Sequence, residues 1–517
     1  MKPFFTFLFI VLAFSVTAQI PEPAMLWLRG YGGNGFNNVG TFVTTTNDGG
    51  FIVGIGTNAI PGSGNIDSFC SSSLSGDREI YLKYNADASI LEWSKCFING
   101  GFIFPVSNND FIYGTNTDPA TGWAFVIGRE DSNGTIIWSK TYGDSADAIL
   151  YCMLATNDGG YIMVGETNYT DSDFPIHYGT WTDADIAVIK VDSNGNKVWS
   201  KVIGGSSEDD VVSVIAAPDD GCYIVGTTLS NDHDCTGNHG GDDVYLVRLD
   251  KNGNIVWHND IGGSGGDQGN YAATDGSGGV VIAGASNSPD GDRTHFPSYG
   301  CPVWVLQVDS NNNILWNNCY GGGGSNCYPN AICKAIDGSI WIAAVSTLIG
   351  GQVDTQYGGD DAWFLHISDT GNVINAKVLG SNQDDRGMMV YPLSNGNVIA
   401  GGFYNDPNGS FSGIPWYGGT DAFLTVFEPS PENVTKISAI SSGVKIYPNP
   451  ANEIITIKTE QTGNYDLVIT DEIGHQIYTA RIIEKIEISV NDWVKGMYYV
   501  QVINSDGYKE VQKLVIE

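Results

Sequence analysis

An acidic turn, a tryptophan and a glycine pair return in the same order seven times along the chain. The clearest copies are "DSNGTIIWSKTYGDS" from Asp131, "DSNGNKVWSKVIGGS" from Asp192, "DKNGNIVWHNDIGGS" from Asp250, "DSNNNILWNNCYGGG" from Asp309 and "DTGNVINAKVLGS" from Asp369. A weaker copy starts at Asn85, and a truncated one, "AMLWLRGYGG", at Ala24. The equivalent positions hold Trp27, Trp93, Trp138, Trp199, Trp257 and Trp316, with Asn375 in the seventh place, 45 to 66 residues apart. A period of this length admits few architectures, because each unit must bury its apolar faces against copies of itself.

An apolar strand precedes each turn, as in "DIAVIKVD" from Asp185 and "DVYLVRLD" from Asp243. A hairpin about a DGG-type turn follows the glycines, as in "LATNDGGYIMVGET" from Leu154. β-Branched and aromatic residues with turn signals every 8 to 12 residues predict four short antiparallel strands per repeat. Such repeats are propeller blades, not helical solenoids. The expected fold is all-β: a seven-bladed propeller over 19–428, followed by a small β-sandwich. Within a blade the order is the strand before DGG, the strand after it, the strand before the acidic turn, and the tryptophan strand. The N-terminus supplies only a tryptophan strand and the last blade lacks one, so "LWLRGYG" should pair beside "DAFLTVF" and close the ring, removing its open edge.

The repeat itself has no catalytic signature. Its glycines precede strands, and no GK[ST] follows as a phosphate loop requires. A sialidase-type Asp box, D-x-G-x-x-W, is shorter than the D-x-x-G-x-x-x-W found here. "GGSGG" at Gly262 to Gly266 matches a nucleophile elbow in letters but lies between strands. Scaffolding explains every element: Asn-Gly supplies positive φ, tryptophan packs the outer strand, and Gly-Gly lets the chain pass between blades.

Departures from the repeat concentrate in the connections between second and third strands, from Asn168, Ser230, Ser286, Thr347 and Asn405, which should share one face. Loops on a rigid scaffold are where function gathers. They hold Phe174, Tyr178, Trp181, Phe296, Tyr299, Tyr357, Trp416 and Tyr417, suited to stacking on a ligand or to packing the loops onto the rim. Three of them carry D-x-D: Asp171 and Asp173, Asp232 and Asp234, Asp290 and Asp292. Paired hard oxygen ligands on a turn suit Ca2+, while Asx-turn bonding explains the same residues without an ion. His233, Cys235 and His239, with Asp234 or Asp242, contain zinc-ligand types, although their spacing in one loop is unlike structural zinc sites.

The start, "MKPFFTFLFIVLAFSVTAQ", has Lys2, an apolar run and small residues before Gln19: a secretory signal over 1–18, cut between Ala18 and Gln19. No later stretch is long and apolar enough to span a bilayer. The 24 basic residues face 58 acidic ones, a formal charge of −34, which repels nucleic acid. Nine cysteines permit disulfides in an exported chain but leave at least one unpaired. Cys152, Cys222 and Cys333 fall in apolar strand runs, as buried free thiols do. Conceivable bridges are Cys70 with Cys96 and Cys319 with Cys327.

After Glu428 the repeat stops. A polar linker spans 429–443, and alternating strands with turn signals fill 444–517. This module resembles the type A C-terminal sorting domain of the type IX secretion system of Bacteroidota. The resemblance rests on "YPNP" (Tyr447, Pro448, Asn449, Pro450), "VITDEIGHQIYT" with Gly474, "VKGMYYVQV" with Gly496 and Tyr498, and "KLVIE" with Lys513. The family usually ends on a basic residue, where this chain has Glu517. The resemblance implies Sec export to the periplasm, recognition by the outer-membrane translocon, and release or attachment at the cell surface. The blades also look like a glycine- and aspartate-rich repeat common in exported proteins of that phylum, which implies architecture only. The expected function is a surface or secreted binding module for glycan or protein. The alternatives are a polymer-degrading enzyme, marked by carboxylates paired across the central funnel, or a structural surface protein.

Overall fold

The computed structural model describes residues 21–46, 48–58, 64–65, 78–97, 101–106, 110–117, 122–131, 135–293, 301–321, 327–428, 444–459, 465–471, 476–491, 493, 495–504 and 509–516. Two compact units are present, one within the first 430 residues and one within 431–517.

The first unit opens with β1 (Met25–Tyr31) and continues as four-stranded blades, of which the first and last are joined by a short parallel pairing of Gly35 and Phe36 with Gly419 and Thr420. Blade 1 is β2 (Gly35–Thr45), β3 (Phe51–Thr57), β4 (Arg78–Tyr84) and β5 (Leu91–Phe97). Blade 2 is β6 (Phe102–Pro105), β7 (Phe111–Asn116), β8 (Phe125–Glu130) and β9 (Ile136–Tyr142). Blade 3 is β10 (Ala148–Ala155), β11 (Tyr161–Thr167), β12 (Asp185–Val191) and β13 (Lys197–Ile203). Blade 4 is β14 (Asp209–Ala216), β15 (Cys222–Thr228), β16 (Asp243–Leu249) and β17 (Ile255–Ile261). Blade 5 is β18 (Asp267–Thr274), β19 (Val280–Ser286), β20 (Cys301–Val308) and β21 (Ile314–Tyr320). Blade 6 is β22 (Tyr328–Lys334), β23 (Ile340–Ser346), β24 (Asp361–Ile367) and β25 (Val373–Leu379). Blade 7 has β26 (Arg386–Pro392), β27 (Val398–Tyr404) and β28 (Gly419–Phe427). Its fourth strand is β1, antiparallel to β28 from Met25 opposite Phe427 to Tyr31 opposite Ala422. Each first strand lies against the first strand of the next blade, and β26 lies against β2. This is a seven-bladed β-propeller with the strand order expected from the repeat.

Second and third strands are sandwiched between neighbouring blades, so both of their faces are buried and their alternation disappears. β12, β16 and β24 are buried at every residue. The fourth strand meets solvent, and β13 is exposed at its start and buried only at its end. In the DGG turns the carboxylate reaches a cation of the third strand: Asp48 pairs with Lys83 at 3.0 Å, Asp158 with Lys190 at 2.7 Å, and Asp219 with Arg248.

The tryptophans act between blades. Trp199 donates its indole N–H to the Lys251 carbonyl at 3.1 Å, Trp257 to Ser310 at 3.3 Å, and Trp316 to Asp369 at 2.9 Å. These three carbonyls lie in the acidic turn of the following blade, and Trp316 also donates to Gln307 Oε1 of its own blade at 2.7 Å. The glycine of that turn, at φ +73° in Gly195, +80° in Gly253 and +79° in Gly371, is the floor on which the indole rests. A Cβ there would come within 2.6 Å of Trp138, 2.8 Å of Trp199 and 3.0 Å of Trp316. Asn375 follows from the same rule. Blade 7 takes its third and fourth strands from opposite parts of the chain, so it has no turn between them to receive an indole from blade 6. Instead, Ala376 N–H donates to the Pro21 carbonyl at 3.1 Å and Lys377 pairs with Glu22 at 2.5 Å.

Glycines also govern the crossings between blades. A Cβ on Gly204, Gly262, Gly380 or Gly32 would overlap the carboxylate of Asp185, Asp243, Asp361 or Asp421. These aspartates open third strands and are fully buried, as are Asp209, Asp267 and Asp385 at the starts of first strands. Oδ1 of Asp185, Asp243 and Asp361 has no hydrogen-bond partner. Burial, reinforced by Asp209 and opposed by the Tyr178 N–H, pushes Asp185 up to about 7. Burial likewise raises Asp361 to about 6 and Asp385 to about 7.

Cysteine pairing departs from expectation. Cys301 is bonded to Cys319, joining β20 to β21 in one blade, because the third and fourth strands run side by side there. Cys327 lies beyond the crossing, where it is a buried free thiol in the core between blades 5 and 6. Cys152, Cys222 and Cys333 are buried and free as expected. Cys70 and the signal cleavage residues Ala18 and Gln19 lie outside the described residues.

The second unit is a β-sandwich. One sheet is β29 (Lys445–Tyr447), β30 (Ile454–Lys458) and β33 (Lys485–Ser489). The other runs β32 (Gln476–Ile482), β31 (Tyr465–Asp471), β34 (Gly496–Asn504) and β35 (Lys509–Ile516). Ile455, Ile457, Leu467, Ile469, Val500 and Leu514 fill the space between them.

Three outcomes are expected. Trp199→Ala should cost about 2–3 kcal/mol in denaturant unfolding, below the ~3–5 of a fully buried aromatic. Asn375→Trp should destabilise, because a large ring enters a fully buried site with no turn to receive it. Because the crossing aspartates have folded values above their ordinary ones, their stabilisation is complete below the ordinary carboxylate range and is lost as pH rises toward 7. The propeller should therefore melt higher at pH 5 than at pH 8; the reverse order would contradict the assignment.

Candidate functional site

Antiparallel order places the DGG and acidic turns at one end of every blade. The long loops and glycine crossings share the other. Each long loop clasps the crossing that enters its own blade. Asp171 Oδ1 accepts the N–H groups of Asp173 and Phe174 at 2.7 Å, and Asp173 accepts Gly143 N–H at 3.2 Å and pairs with Lys197. Asp232 accepts Ser206 N–H at 2.7 Å, while Asp234 contributes backbone, its carbonyl accepting the Tyr245 hydroxyl at 2.7 Å. Asp290 accepts Ser264 N–H at 2.7 Å and Asp292 accepts Gly262 N–H at 3.1 Å. In blades 1, 6 and 7 the same work is done by neutral amides: Asn65 accepts Gly32 N–H, Gln352 accepts Gly321 N–H and Asn408 accepts Asn382 N–H. An oxygen acceptor is what the position requires; a charge is not. Among the described residues no three His, Cys, Asp or Glu side chains are grouped to hold a metal.

The zinc-type residues of one loop diverge. Cys235 is buried with its thiol on Asp209 at 3.4 Å, His239 Nδ1 lies 2.9 Å from Asp243 Oδ2, and His233 stacks on Tyr178 at 4.4 Å. The loop aromatics divide as well. Phe174 is fully buried, packed edge-on against Phe125, so it belongs to the core and not to an exposed face. Trp181 is 68% exposed, and Trp416 and Tyr357 are also exposed. Tyr178 and Tyr417 are half-buried. Phe296 and Tyr299 lie outside the described residues.

Between the first strands, on the long-loop side, opens a cavity of about 1040 Å³. Its position follows from a register feature repeated in five blades. β10, β14, β18, β22 and β26 shift register against their second strands at Tyr151, Val212, Asn270, Asn330 and Met388. A bulge inserts one residue and re-aims its neighbours. Tyr151, Val212 and Met388 line the cavity, together with Tyr271, Asn116, Glu166, Glu208 and Asp210. Glu166 is the penultimate residue of the second strand of blade 3, and Asp210 is the second residue of the first strand of blade 4. Glu166 accepts Val211 N–H at 3.3 Å and lines the same cavity as Asp210 and Tyr151. Burial, with the Asp210 charge, raises Glu166 above the usual carboxylate range, and burial, with the charges of Asp209 and Asp242, raises Asp210. Burial and Glu166 push Tyr151 up to about 12. A smaller adjoining cavity adds Asp242, which accepts from Gln268 Nε2 at 2.8 Å.

Reading the loops for function missed this pair. Its only sequence trace is departure from the repeat: Asp210 stands where other blades have Ile149, Gln268, Tyr328 or Arg386. Glu166 stands where they have Thr227, Ala285, Val345 or Phe403.

In the sandwich, Tyr447, Pro448, Asn449, Pro450 and Lys513 are exposed, and Tyr498 is buried. Gly496 has φ +157° and begins β34. Gly474 lies outside the described residues.

Residues 445–517 match the family model described as the secretion system C-terminal sorting domain. No curated protein matches the chain. Among solved structures, a fungal alcohol oxidase of the AA5 family in complex with copper is 12% identical, with 96% of this chain and 100% of that chain covered and a TM-score of 0.42. The WD40 domain of Neurospora crassa Pan2 is 11% identical, covering 76% and 89% with a TM-score of 0.36. The β-propeller domain of the Trilobed protease from Pyrococcus furiosus is 7% identical, covering 73% and 90% with a TM-score of 0.38. Among the described residues no helix is long and apolar enough to cross a membrane. Behind its seven-bladed propeller the chain carries a type IX C-terminal sorting domain, and it is exported by that system to the cell surface or beyond.

Proposed function

We propose that residues 19–428 are a binding module for an extracellular glycan or protein, which reaches the outside after removal of 1–18 and is joined by a linker, 429–443, to its sorting domain, 444–517. The ligand is received at the mouth of the central channel. The observation that carries this reading is the Glu166–Asp210 pair, with Tyr151 and Tyr271, in a cavity of about 1040 Å³. Carboxylates that accept hydroxyl or amide hydrogens beside aromatic rings suit recognition of polar polymers. Asp173, Asp232, Asp290 and Asp292 serve as crossing acceptors, Asp171 orders its own loop, and Asp234 contributes backbone. Sorting is attributed to Tyr447, Pro448, Asn449, Pro450, Gly474, Gly496, Tyr498 and Lys513.

A panel of starch, cellulose, xylan, pectin, chitin and secreted proteins, titrated calorimetrically into the full chain, tests the module. A ligand should bind, and Glu166→Gln with Asp210→Asn should weaken it at least about tenfold, the worth of one or two charged hydrogen bonds, without lowering the melting temperature. Release of reducing ends in the same mixtures would replace binding with catalysis, and silence across the panel would remove the reading. Chelation should leave melting unchanged; a fall would return Ca2+ to Asp171, Asp173, Asp232, Asp234, Asp290 and Asp292.

A further inference from the structure

We propose that the sorting signal is one tertiary surface assembled by the side chain of Asn449, and that the translocon component receiving it presents an aromatic-lined groove with a carboxylate. The proposal rests on reading Tyr447–Pro450 and Lys513 as parts of the signal, and it asks how residues at opposite ends of the domain act together.

β35 is the edge strand of its sheet, paired only with β34. An open edge offers unpaired backbone groups to any passing strand. Here its last residues are covered from 449 to 451. Asn449 Nδ2 donates to the Lys513 carbonyl at 2.7 Å, and Val515 N–H donates to Asn449 Oδ1 at 2.9 Å. Ala451 N–H donates to the Val515 carbonyl at 2.9 Å, and Ala451 forms a parallel bridge with Ile516.

The prolines explain why a side chain is needed. Pro448 and Pro450 lack N–H groups and cannot form ladder bonds as donors. The amide of Asn449 carries both a donor and an acceptor, so it substitutes for a full rung of the sheet between two residues that cannot make one. Residues 64 and 66 positions apart are thereby fixed side by side. The surface they make combines Tyr447, 49% exposed, two exposed proline rings and the exposed Lys513. Proline rings dock on aromatic-lined grooves, and an ammonium group takes a carboxylate partner. Asn449 is thus a positioning residue, while Pro448, Pro450 and Lys513 make the contact.

The full chain, produced in a host with the type IX pathway, is measured as exported against periplasm-retained protein. Asn449→Ala should lower export about tenfold, the order expected from losing two hydrogen bonds. Lys513→Ala changes an exposed side chain and should leave the melting temperature unmoved, yet reduce export; Lys513→Arg should retain it and Lys513→Glu abolish it. The double variant, Asn449→Ala with Lys513→Ala, should be no worse than Asn449→Ala alone, as for residues of one unit. Wild-type export of Asn449→Ala, or losses that multiply in the double variant, would overturn the single surface. Export of Lys513→Glu would overturn the carboxylate. Deletion of 445–517 separates the levels: if the deleted chain still leaves the cell, the sorting reading fails, not merely the account of its assembly.

Discussion

The propeller depends on an indole laid against a glycine. Stacked sheets bury apolar faces but do not thereby acquire a fixed register, because apolar contact is non-directional. The indole N–H of one blade, bonded to a carbonyl in the acidic turn of the next, supplies direction, and the left-handed glycine supplies room. Trp199 on Gly253 and Trp316 on Gly371 therefore set the step from blade to blade. Where the receiving turn is missing, at blade 7, the tryptophan is missing too. Asn375 is a consequence of the rule and not an exception to it.

Around this step the remaining polar groups share out tasks by place. At the DGG end, carboxylates meet lysine or arginine, as Asp158 meets Lys190. At the opposite end no lysine or arginine among the described residues pairs with Asp185, Asp361 or Asp385, and burial raises all three. Loop side chains then satisfy the N–H groups of the crossings, whether charged, as in Asp290, or neutral, as in Gln352. With both ends accounted for structurally, the acidic pair that faces space is Glu166 with Asp210, in the channel.

Much of this was legible in the residues alone. Blade number, strand order, the pairing of β1 with β28 and the sorting domain all follow from short-range patterns, which the repeat prints several times over. The D-x-D motifs were ambiguous, since Asp171 on its own turn suits an ion or an N–H equally well. Cys319 and Cys327 are near in sequence, but the partner of Cys319 is Cys301, which is near across a ladder. The cavity escaped notice because no local pattern marks Glu166 and Asp210, which are 44 residues apart in different blades.

The sequence by itself determined what recurs: the four-strand unit, the turns that need positive φ, and the tryptophan that each step requires. These depend on backbone geometry and on residues within a few positions of one another. Only the tertiary structure decided what the recurring units enclose. One-residue bulges in first strands turn Tyr151, Val212 and Met388 into the channel. Converging blades bring Glu166 and Asp210 into one cavity, and the ends of the sorting domain meet at Asn449. Such juxtapositions are set by register and by packing between distant segments, where a shift of one residue changes which groups meet and leaves no mark in the local sequence.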